Sequence, residues 1–185
     1  MTCALYFGSF NPIHYGHLSI IDYLCASDEI DQVRLIVSPK NPLKESLSID
    51  SAQTRFSQAQ KAIDTHFKEN KASEYISRKL IISDIEFHLP SPLYTLNTLR
   101  ILKKNEPLNR FILIIGGDNI SILKKWYGWE DILKEFEVWV YPRPGYNISK
   151  ELQELQSIKN IVGLRHLSDA PQYNISSTEI RNKTK

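Results

Sequence analysis

Two histidines in one short motif are the residues best suited to chemistry. His14 and His17 stand in the segment 8–17, Gly-Ser-Phe-Asn-Pro-Ile-His-Tyr-Gly-His, directly after an apolar run. A spacing of three residues puts both imidazoles on one side of the first turn of a helix. The free N–H groups and partial positive charge of a helix start favour an anion such as a phosphate. The motif therefore predicts a site where two imidazoles and a helix N-terminus face one phosphate group.

A structural role and a zinc site are the alternatives to a phosphate site at these histidines. A single histidine more often caps a helix or fills a surface, but here the pair occurs together with Gly8, Pro12 and Gly16 after a strand, which favours a ligand. A zinc pair is disfavoured because the spacing is not the i, i+4 of a helical zinc motif. No Cys-x-x-Cys pattern is present to complete such a site.

Apolar patterning predicts the elements that must position this motif. Short apolar runs bounded by turn residues are typical of buried strands, and apolar residues at helical spacing indicate helices. Strands are predicted at 3–7, 33–37, 110–115, 136–140 and 160–164, with one or two short strands within 75–87; helices are predicted at 15–26, 51–67, 93–104 and 150–156, with a helix start at 175–181. This alternation predicts an α/β fold with a parallel sheet of six strands, with the most apolar run, 110–115, at its centre. The length of 185 residues suits a single domain, 1–185.

Further candidate groups follow the predicted strands. Lys44 lies in the loop after 33–37, where a cation suits a phosphate, although most loop lysines are only solvated. Gly116 and Asp118 follow 110–115; the glycine allows close backbone approach, and the carboxylate can accept from sugar hydroxyls or simply cap a turn. Thr95 offers a hydroxyl and a helix-start N–H, or only a cap. Trp126 can stack on a flat heteroaromatic ring.

A second anion site is predicted near the end of the sequence. The segment 175–181, Ile-Ser-Ser-Thr-Glu-Ile-Arg, reads as a helix start in which Ser176 or Ser177 can cap, with Arg181 projecting from an early turn. Hydroxyl groups and a guanidinium suit phosphate oxygens. We expect this site to face the first one across the end of the sheet.

Composition narrows the classes of partner. The net charge is +2, and the basic residues are scattered, so nucleic acid is not an expected partner. No apolar run approaches the roughly 20 residues of a membrane span, and no leader is visible, so a cytoplasmic location is expected. Cys3 and Cys25 suit two reduced thiols. The chain has no Gly-x-x-x-x-Gly-Lys-Ser/Thr loop, which argues against a P-loop enzyme.

The segment 8–17 resembles the signature of nucleotidyltransferases with a His/Thr-x-Gly-His motif, and its His-x-Gly-His form is similar to that of nicotinate-nucleotide adenylyltransferases. The resemblance extends from residue 4 to residue 181. Four residues depart from the usual pattern: Asn11 for Asp, Leu43 for His, Leu93 for Ser and Asn97 for Asp. Further motifs match in family order: Tyr-Thr-x-x-Thr-Leu at 94–99, Trp-Tyr-x-Trp-Glu at 126–130, Arg-Pro-Gly at 143–145 and Ile-Ser-x-Thr-x-x-Arg at 175–181.

This resemblance implies a Rossmann-like, doubly wound parallel sheet in three layers, α/β/α, and transfer of the adenylyl group of ATP to nicotinate mononucleotide. Magnesium is expected to arrive with ATP, and the expected partners are the two nucleotides, without nucleic acid or membrane. By resemblance and position, the catalytic residues are His14, His17, Lys44 and Arg181. The expected ATP-binding residues are Gly8, Ser9, Phe10, His14, Gly16, His17, Gly116, Asp118, Ser176, Ser177 and Arg181. Those expected to bind nicotinate mononucleotide are Lys44, Tyr94, Thr95, Trp126 and Tyr127.

Two other functions stay open at this point. A sister transferase would use nicotinamide mononucleotide or pantetheine phosphate as the acceptor, although the Trp126-Tyr127 pair favours a pyridine ring. A non-catalytic nucleotide-binding module is conceivable because of the replacements at Asn11 and Leu43. A fragment of a class I aminoacyl-tRNA synthetase is disfavoured by the length and by the lack of a basic tRNA-binding region.

Overall fold

Strands and helices alternate along almost all of the chain. The computed structural model describes residues 1–39, 49–70, 74–172, 177 and 180, with side chains for all of these except 49–51 and 74–76. The strands are β1 Thr2–Gly8, β2 Gln32–Val37, β3 Leu80–Ser83, β4 Arg110–Gly116, β5 Glu137–Tyr141 and β6 Gly163–His166. The helices are α1 Tyr15–Ala26, α2 Ile49–Glu69, α3 Glu74–Lys79, α4 Thr95–Asn105, α5 Gly117–Ile120, α6 Trp129–Glu135 and α7 Ile148–Gln156, with 3₁₀ turns at Ile85–His88 and Leu123–Lys125. None of the described helices is long and apolar enough to cross a membrane.

The described strands form one parallel sheet in the order β3-β2-β1-β4-β5-β6. The sheet is doubly wound, as the family resemblance implies, and β4, the most apolar run, lies between β1 and β5, in the central position expected for it. The direction of winding reverses between β1 and β4. Loops that leave the carboxyl ends of these two strands therefore pass to opposite faces of the sheet and open a crevice between them, where ligands bind in such folds.

Alternation along the strands builds a core on each face of the sheet. Ala4 and Ile112 point into one core, which contains α1 residues and part of α2. Leu5, Leu113 and Val138 point into the other, which contains residues of α4, α6 and α7. Because both faces of each central strand are buried, these strands read as continuous apolar runs. The predicted three-layer α/β/α arrangement is confirmed.

Two predicted segments differ in detail from the structure. The segment 75–87 holds one strand, β3, which agrees with the one or two predicted, but the rest of the segment forms α3 and a 3₁₀ turn. In that turn Phe87 packs edge-on against Phe56 of α2, with ring centroids 6.1 Å apart, so a contact from another layer overrides the local pattern. The last strand begins at Gly163, three residues later than predicted. Asn160 has φ +65°, a left-handed conformation that asparagine tolerates in turns but that a strand excludes.

Candidate active site

One cavity of about 610 Å³ lies outside the carboxyl ends of β1 and β4. Its position at the reversal of strand order agrees with the general rule for open α/β sheets. It brings together residues that the sequence assigned to two different ligands. The predicted residues that line it are Gly8, Ser9, Phe10, His14, His17, Tyr94, Thr95, Gly116, Asp118, Trp126, Tyr127 and Ser177.

Four predicted site residues do not line this cavity or cannot be placed in it. Gly16 is the second residue of α1 and is absent from the cavity lining. Lys44, Ser176 and Arg181 lie outside the described residues, so their assignments stay predictions. Ser177 is described, and its hydroxyl donates to the backbone carbonyl of Pro12 at 3.0 Å. Ser177, one residue of the predicted second anion site, therefore contacts the loop that carries the first.

The loop between β1 and α1 is held in a tight conformation by aromatic packing. Phe10 is 2% exposed and has φ +42°, a left-handed conformation that costs a non-glycine residue roughly 1–2 kcal/mol. Its ring lies so close to Gly8 that a β-carbon there would come within 2.7 Å of it. Gly8 thus has a packing reason to lack a side chain, besides the predicted ligand contact. The same ring packs edge-on against His17, with centroids 5.1 Å apart.

The two histidines stack at the start of α1. Their ring centroids are 3.7 Å apart, with the planes inclined at 31°, which confirms that the spacing places them together. His14 is the residue before the helix, and its backbone N–H donates to Nδ1 of His17 at 3.2 Å. Because a backbone N–H can only donate, Nδ1 of His17 holds a lone pair, and the proton of the neutral ring is on Nε2. His17 therefore presents an Nε2–H donor at the cavity.

His17 is electrically neutral at physiological pH. Burial, then the charges of His14 and Arg143, lower the pKa of His17 well below its usual range. Two stacked imidazoles resist double protonation because like charges repel and neither is fully hydrated. The helix start therefore offers hydrogen-bond donation from His17 to an anion without a change of protonation state.

The lowered pKa of His17 predicts a loss of stability in mild acid. In the unfolded chain His17 binds a proton below about pH 6.5, whereas the folded chain resists this protonation. The unfolded state then binds more protons, so the free energy of unfolding falls as the pH drops below about 6.5 towards the pKa of folded His17. Urea unfolding of the wild type and of His17→Gln at about pH 7.5 and about pH 5.5, on either side of the unfolded pKa, checks this. We expect a smaller pH-dependent loss in the variant; equal losses would contradict the assignment.

Four polar side chains, those of Tyr6, Asp118, Tyr141 and Arg143, line the part of the cavity that we term its floor. A β-carbon on Gly116 would lie 2.3 Å from Asp118 Oδ1 and 2.9 Å from the Tyr141 hydroxyl, so only glycine lets these groups approach. Arg143 Nε lies 3.5 Å from Asp118 Oδ1, so the guanidinium and the carboxylate form an ion pair. The Tyr6 and Tyr141 hydroxyl oxygens are 3.1 Å apart, and burial raises the pKa of both phenols. The floor thus offers two neutral hydroxyls beside one carboxylate.

Three aromatic side chains that line the cavity, Tyr94, Trp126 and Tyr127, form what we term the aromatic slot. Gly128 has φ +63°, and a β-carbon there would lie 2.3 Å from Leu96 of α4. This close packing brings Tyr127 against Tyr94, with nearly parallel rings whose centroids are 4.4 Å apart. Trp126 adds an indole whose Nε1–H is buried without a hydrogen-bond partner among the described residues. The slot suits a flat ring that carries an acceptor.

Sequence reasoning missed several residues that line the cavity, notably Glu86 and Arg143. Arg143 belongs to the Arg-Pro-Gly motif that the sequence matched, so a signal was present. Glu86 is 3% exposed and accepts from the Thr98 hydroxyl at 2.9 Å, and burial raises its pKa. The 3₁₀ turn at Ile85–His88 that directs Glu86 inward is set by tertiary contacts, so no local pattern reveals it.

The cavity suits a metal ion that arrives with its ligand. Among the described residues, no group of three or more His, Cys, Asp or Glu side chains could hold a metal. Within the same residues, the carboxylates of the lining are Asp118 and Glu86, and each already contacts another side chain. Mg²⁺ keeps several waters and binds through substrate phosphates plus one or two protein oxygens. This donor set fits Mg²⁺ held chiefly by nucleotide phosphates.

Comparison with known proteins gives a family match over nearly the full length. A family model described as cytidylyltransferase-like matches residues 5–183. A protein of Bacteroides fragilis named probable nicotinate-nucleotide adenylyltransferase is 38% identical over 178 residues, which cover 96% of this chain and 79% of the relative. A protein of the same name from Flavobacterium johnsoniae is 40% identical over 187 residues, covering 100% of this chain and 87% of the relative.

A solved structure supports the fold assignment. The Plasmodium falciparum nicotinic acid mononucleotide adenylyltransferase complexed with NaAD superposes with a TM-score of 0.75, covering 98% of this chain and 82% of that chain. The sequence identity is 20%, so this likeness shows the architecture.

Proposed function

The chain belongs to the cytidylyltransferase-like family of nucleotidyltransferases, and on that premise we propose that it makes deamido-NAD and pyrophosphate from ATP and nicotinate mononucleotide in NAD biosynthesis. One observation carries the proposal. The same cavity is lined by His14 and His17 at the start of α1 and by the aromatic side chains of Tyr94, Trp126 and Tyr127. A nucleotide phosphate and a pyridine ring of one acceptor fit these two sites together.

The proposed reaction is an in-line displacement at phosphorus. An oxygen of the nicotinate mononucleotide phosphate forms a bond to the α-phosphorus of ATP, and the bond from that phosphorus to the bridging oxygen breaks and releases pyrophosphate. A phosphate is already a nucleophile at neutral pH, so no protein base has to remove a proton. Such transfers depend mainly on positioning and on neutralising negative charge.

Five of the predicted site residues have a specific task in this reaction. His14 and the Nε2–H of His17 face charge that develops on the α-phosphate, while Lys44 and Arg181 hold phosphate oxygens. Asp118 accepts from ribose hydroxyls. Mg²⁺ carried by ATP would supply further charge neutralisation at the phosphates.

We also propose that residues 1–185 act as a single nucleotidyltransferase domain and that the protein is cytoplasmic. The family match over 5–183 supports the single domain, and cell fractionation tests the location.

Pyrophosphate release tests the function against its alternatives. The purified protein is incubated with ATP, Mg²⁺ and, in turn, nicotinate mononucleotide, nicotinamide mononucleotide and pantetheine phosphate. We expect release with the nicotinate compound and formation of deamido-NAD. Faster turnover of another acceptor would indicate a sister transferase, and ATP binding without release from any acceptor would indicate a non-catalytic module.

Arg181→Lys is expected to lower kcat/KM for ATP by about tenfold. A lysine keeps the charge but loses the planar fork that binds two phosphate oxygens at once. The exposed Arg78 of α3 gives the control Arg78→Lys, which we expect to leave the kinetics unchanged. Titration of ATP into both variants, with steady-state kinetics, decides the matter; an unaltered affinity and turnover for Arg181→Lys would remove this residue from the site.

A further inference from the structure

A buried arginine outside the cavity lining has no task assigned to it in the reaction described above. Arg55 lies on α2 and is 2% exposed. Its guanidinium donates to three backbone carbonyls: those of Ser9, of Ser38 at 3.0 Å and of Pro39 at 2.9 Å. The first carbonyl belongs to the loop after β1, and the other two belong to the loop after β2. One side chain therefore joins the two loops.

The three bonds of Arg55 lie next to the end of the pairing between β1 and β2. The last backbone contact between the two chain segments runs from Ser38 N–H to the Gly8 carbonyl at 2.9 Å. Arg55 binds the carbonyl of the next residue, Ser9, together with those of Ser38 and Pro39. The Arg55 side chain thus links the two loops one residue beyond that backbone bond.

Arg55 carries its positive charge in a buried position. Burial lowers the pKa of its guanidinium, and no charged group of the described residues contributes to that shift; arginine nevertheless stays charged at physiological pH. A buried charge without a counter-ion is costly unless several hydrogen bonds compensate it. An apolar side chain would avoid this cost if packing of α2 were the only requirement.

Residues of both loops line the cavity. The first passes through Phe10, in its left-handed conformation, to His14 and His17. The second loop carries Ser38, which lines the same cavity as these histidines. We propose that Arg55 is a positioning residue for adenylyl transfer, which fixes the distance between the Ser9–Phe10 backbone and the Ser38–Pro39 backbone so that the two sides of the cavity formed by these loops keep their spacing around one phosphate chain.

This inference rests on the proposed function, and it goes beyond it because Arg55 does not line the cavity. Small displacements of positioned groups cost much of the rate of phosphoryl-type transfer, up to about a hundredfold for about 1 Å. A lysine at position 55 keeps the charge but cannot direct several N–H groups in one plane. We therefore expect Arg55→Lys to lower kcat by at least about tenfold, with a smaller change in KM for ATP.

The matched control is Arg34→Lys. Arg34 lies on β2, and its guanidinium makes three side-chain bonds, to Gln32 at 2.6 Å and to Glu106 at 2.6 and 2.7 Å, away from the cavity. We expect this control to lower Tm modestly, by the loss of up to about 1 kcal/mol, while kcat changes by less than about twofold because Arg34 does not line the cavity. Steady-state kinetics, ATP titration and Tm are measured on the wild type and on both variants.

Chemical rescue separates positioning from mere folding. Arg55→Ala leaves a hole of guanidinium shape, so guanidinium at concentrations well below denaturing ones should restore part of kcat, whereas ammonium should not. Wild-type kinetics in Arg55→Lys would overturn the proposal. So would a loss of activity that matches only the unfolded fraction, or unfolding of both Arg55 variants while Arg34→Lys stays folded.

The test also separates this inference from the proposed function. If the wild type binds ATP but releases no pyrophosphate with any acceptor, adenylyl transfer is wrong, and weakened ATP binding by folded Arg55→Lys still supports the positioning of the loops. If the wild type does not bind ATP, both proposals fail.

Discussion

Replacing His17 by alanine is expected to lower kcat by roughly 30- to 1000-fold, or about 2–4 kcal/mol, with a much smaller change in KM for ATP. The Nε2–H of His17 is fixed by the bond from the His14 backbone N–H to Nδ1, so the donor needs no rearrangement during the reaction. Charge on the α-phosphate oxygens grows in the transition state, so the loss of a fixed neutral donor lowers kcat more than it raises KM. Pyrophosphate release under saturating nicotinate mononucleotide measures the effect.

The tautomer of His17 allows a sharper version of this test. Glutamine can place an amide N–H near the position of Nε2, whereas asparagine reaches only the position of Nδ1. We expect His17→Gln to keep more activity than His17→Asn. The control is His88→Ala, which removes an exposed imidazole bonded to Asp84 and should leave kcat unchanged. Wild-type kcat in His17→Ala, or the reverse order of the two amides, would contradict the role given to Nε2.

Nicotinate mononucleotide is expected to be preferred over nicotinamide mononucleotide by at least about a hundredfold in kcat/KM. Thr95 begins α4, so its backbone N–H has no partner within the helix, and it lines the cavity beside the aromatic slot. A carboxylate only accepts hydrogen bonds, whereas a carboxamide presents its own NH₂ to a donor. Two donors that face each other in a dehydrated site cost roughly 1–3 kcal/mol, and the charge-assisted bond is lost as well.

Trp126→Ala separates ring stacking from this selectivity. Stacking holds either pyridine ring about equally, so the variant should weaken both acceptors and keep most of their ratio. Trp129→Ala is the control, because Trp129 packs against the core behind the cavity and should affect Tm more than the acceptors. Equal kcat/KM for the two mononucleotides in the wild type, or preference for the amide, would contradict the assigned acceptor while leaving adenylyl transfer possible.

The sequence predicted the elements that rest on local patterns. The helix predicted at 15–26 is α1 itself, and the strands predicted at 3–7, 33–37, 110–115 and 136–140 each agree with an observed strand to within one residue at either end. Buried parallel strands and amphipathic helices have periodicities that neighbouring residues alone define. The site residues assigned from strand ends follow for the same reason, because the carboxyl ends of parallel strands meet at one edge of the sheet.

The sequence by itself thus determined the α/β sheet, the edge at which chemistry collects and the family to which the chain belongs. The tertiary structure decided how the individual groups at that edge act. The Nε2–H of His17, the Tyr6–Tyr141 contact between residues 135 apart and the bonds of Arg55 to carbonyls 16 to 46 residues away depend on packing between layers. Their pairing is set by where distant backbone atoms come to lie, and no periodicity of the chain encodes that distance.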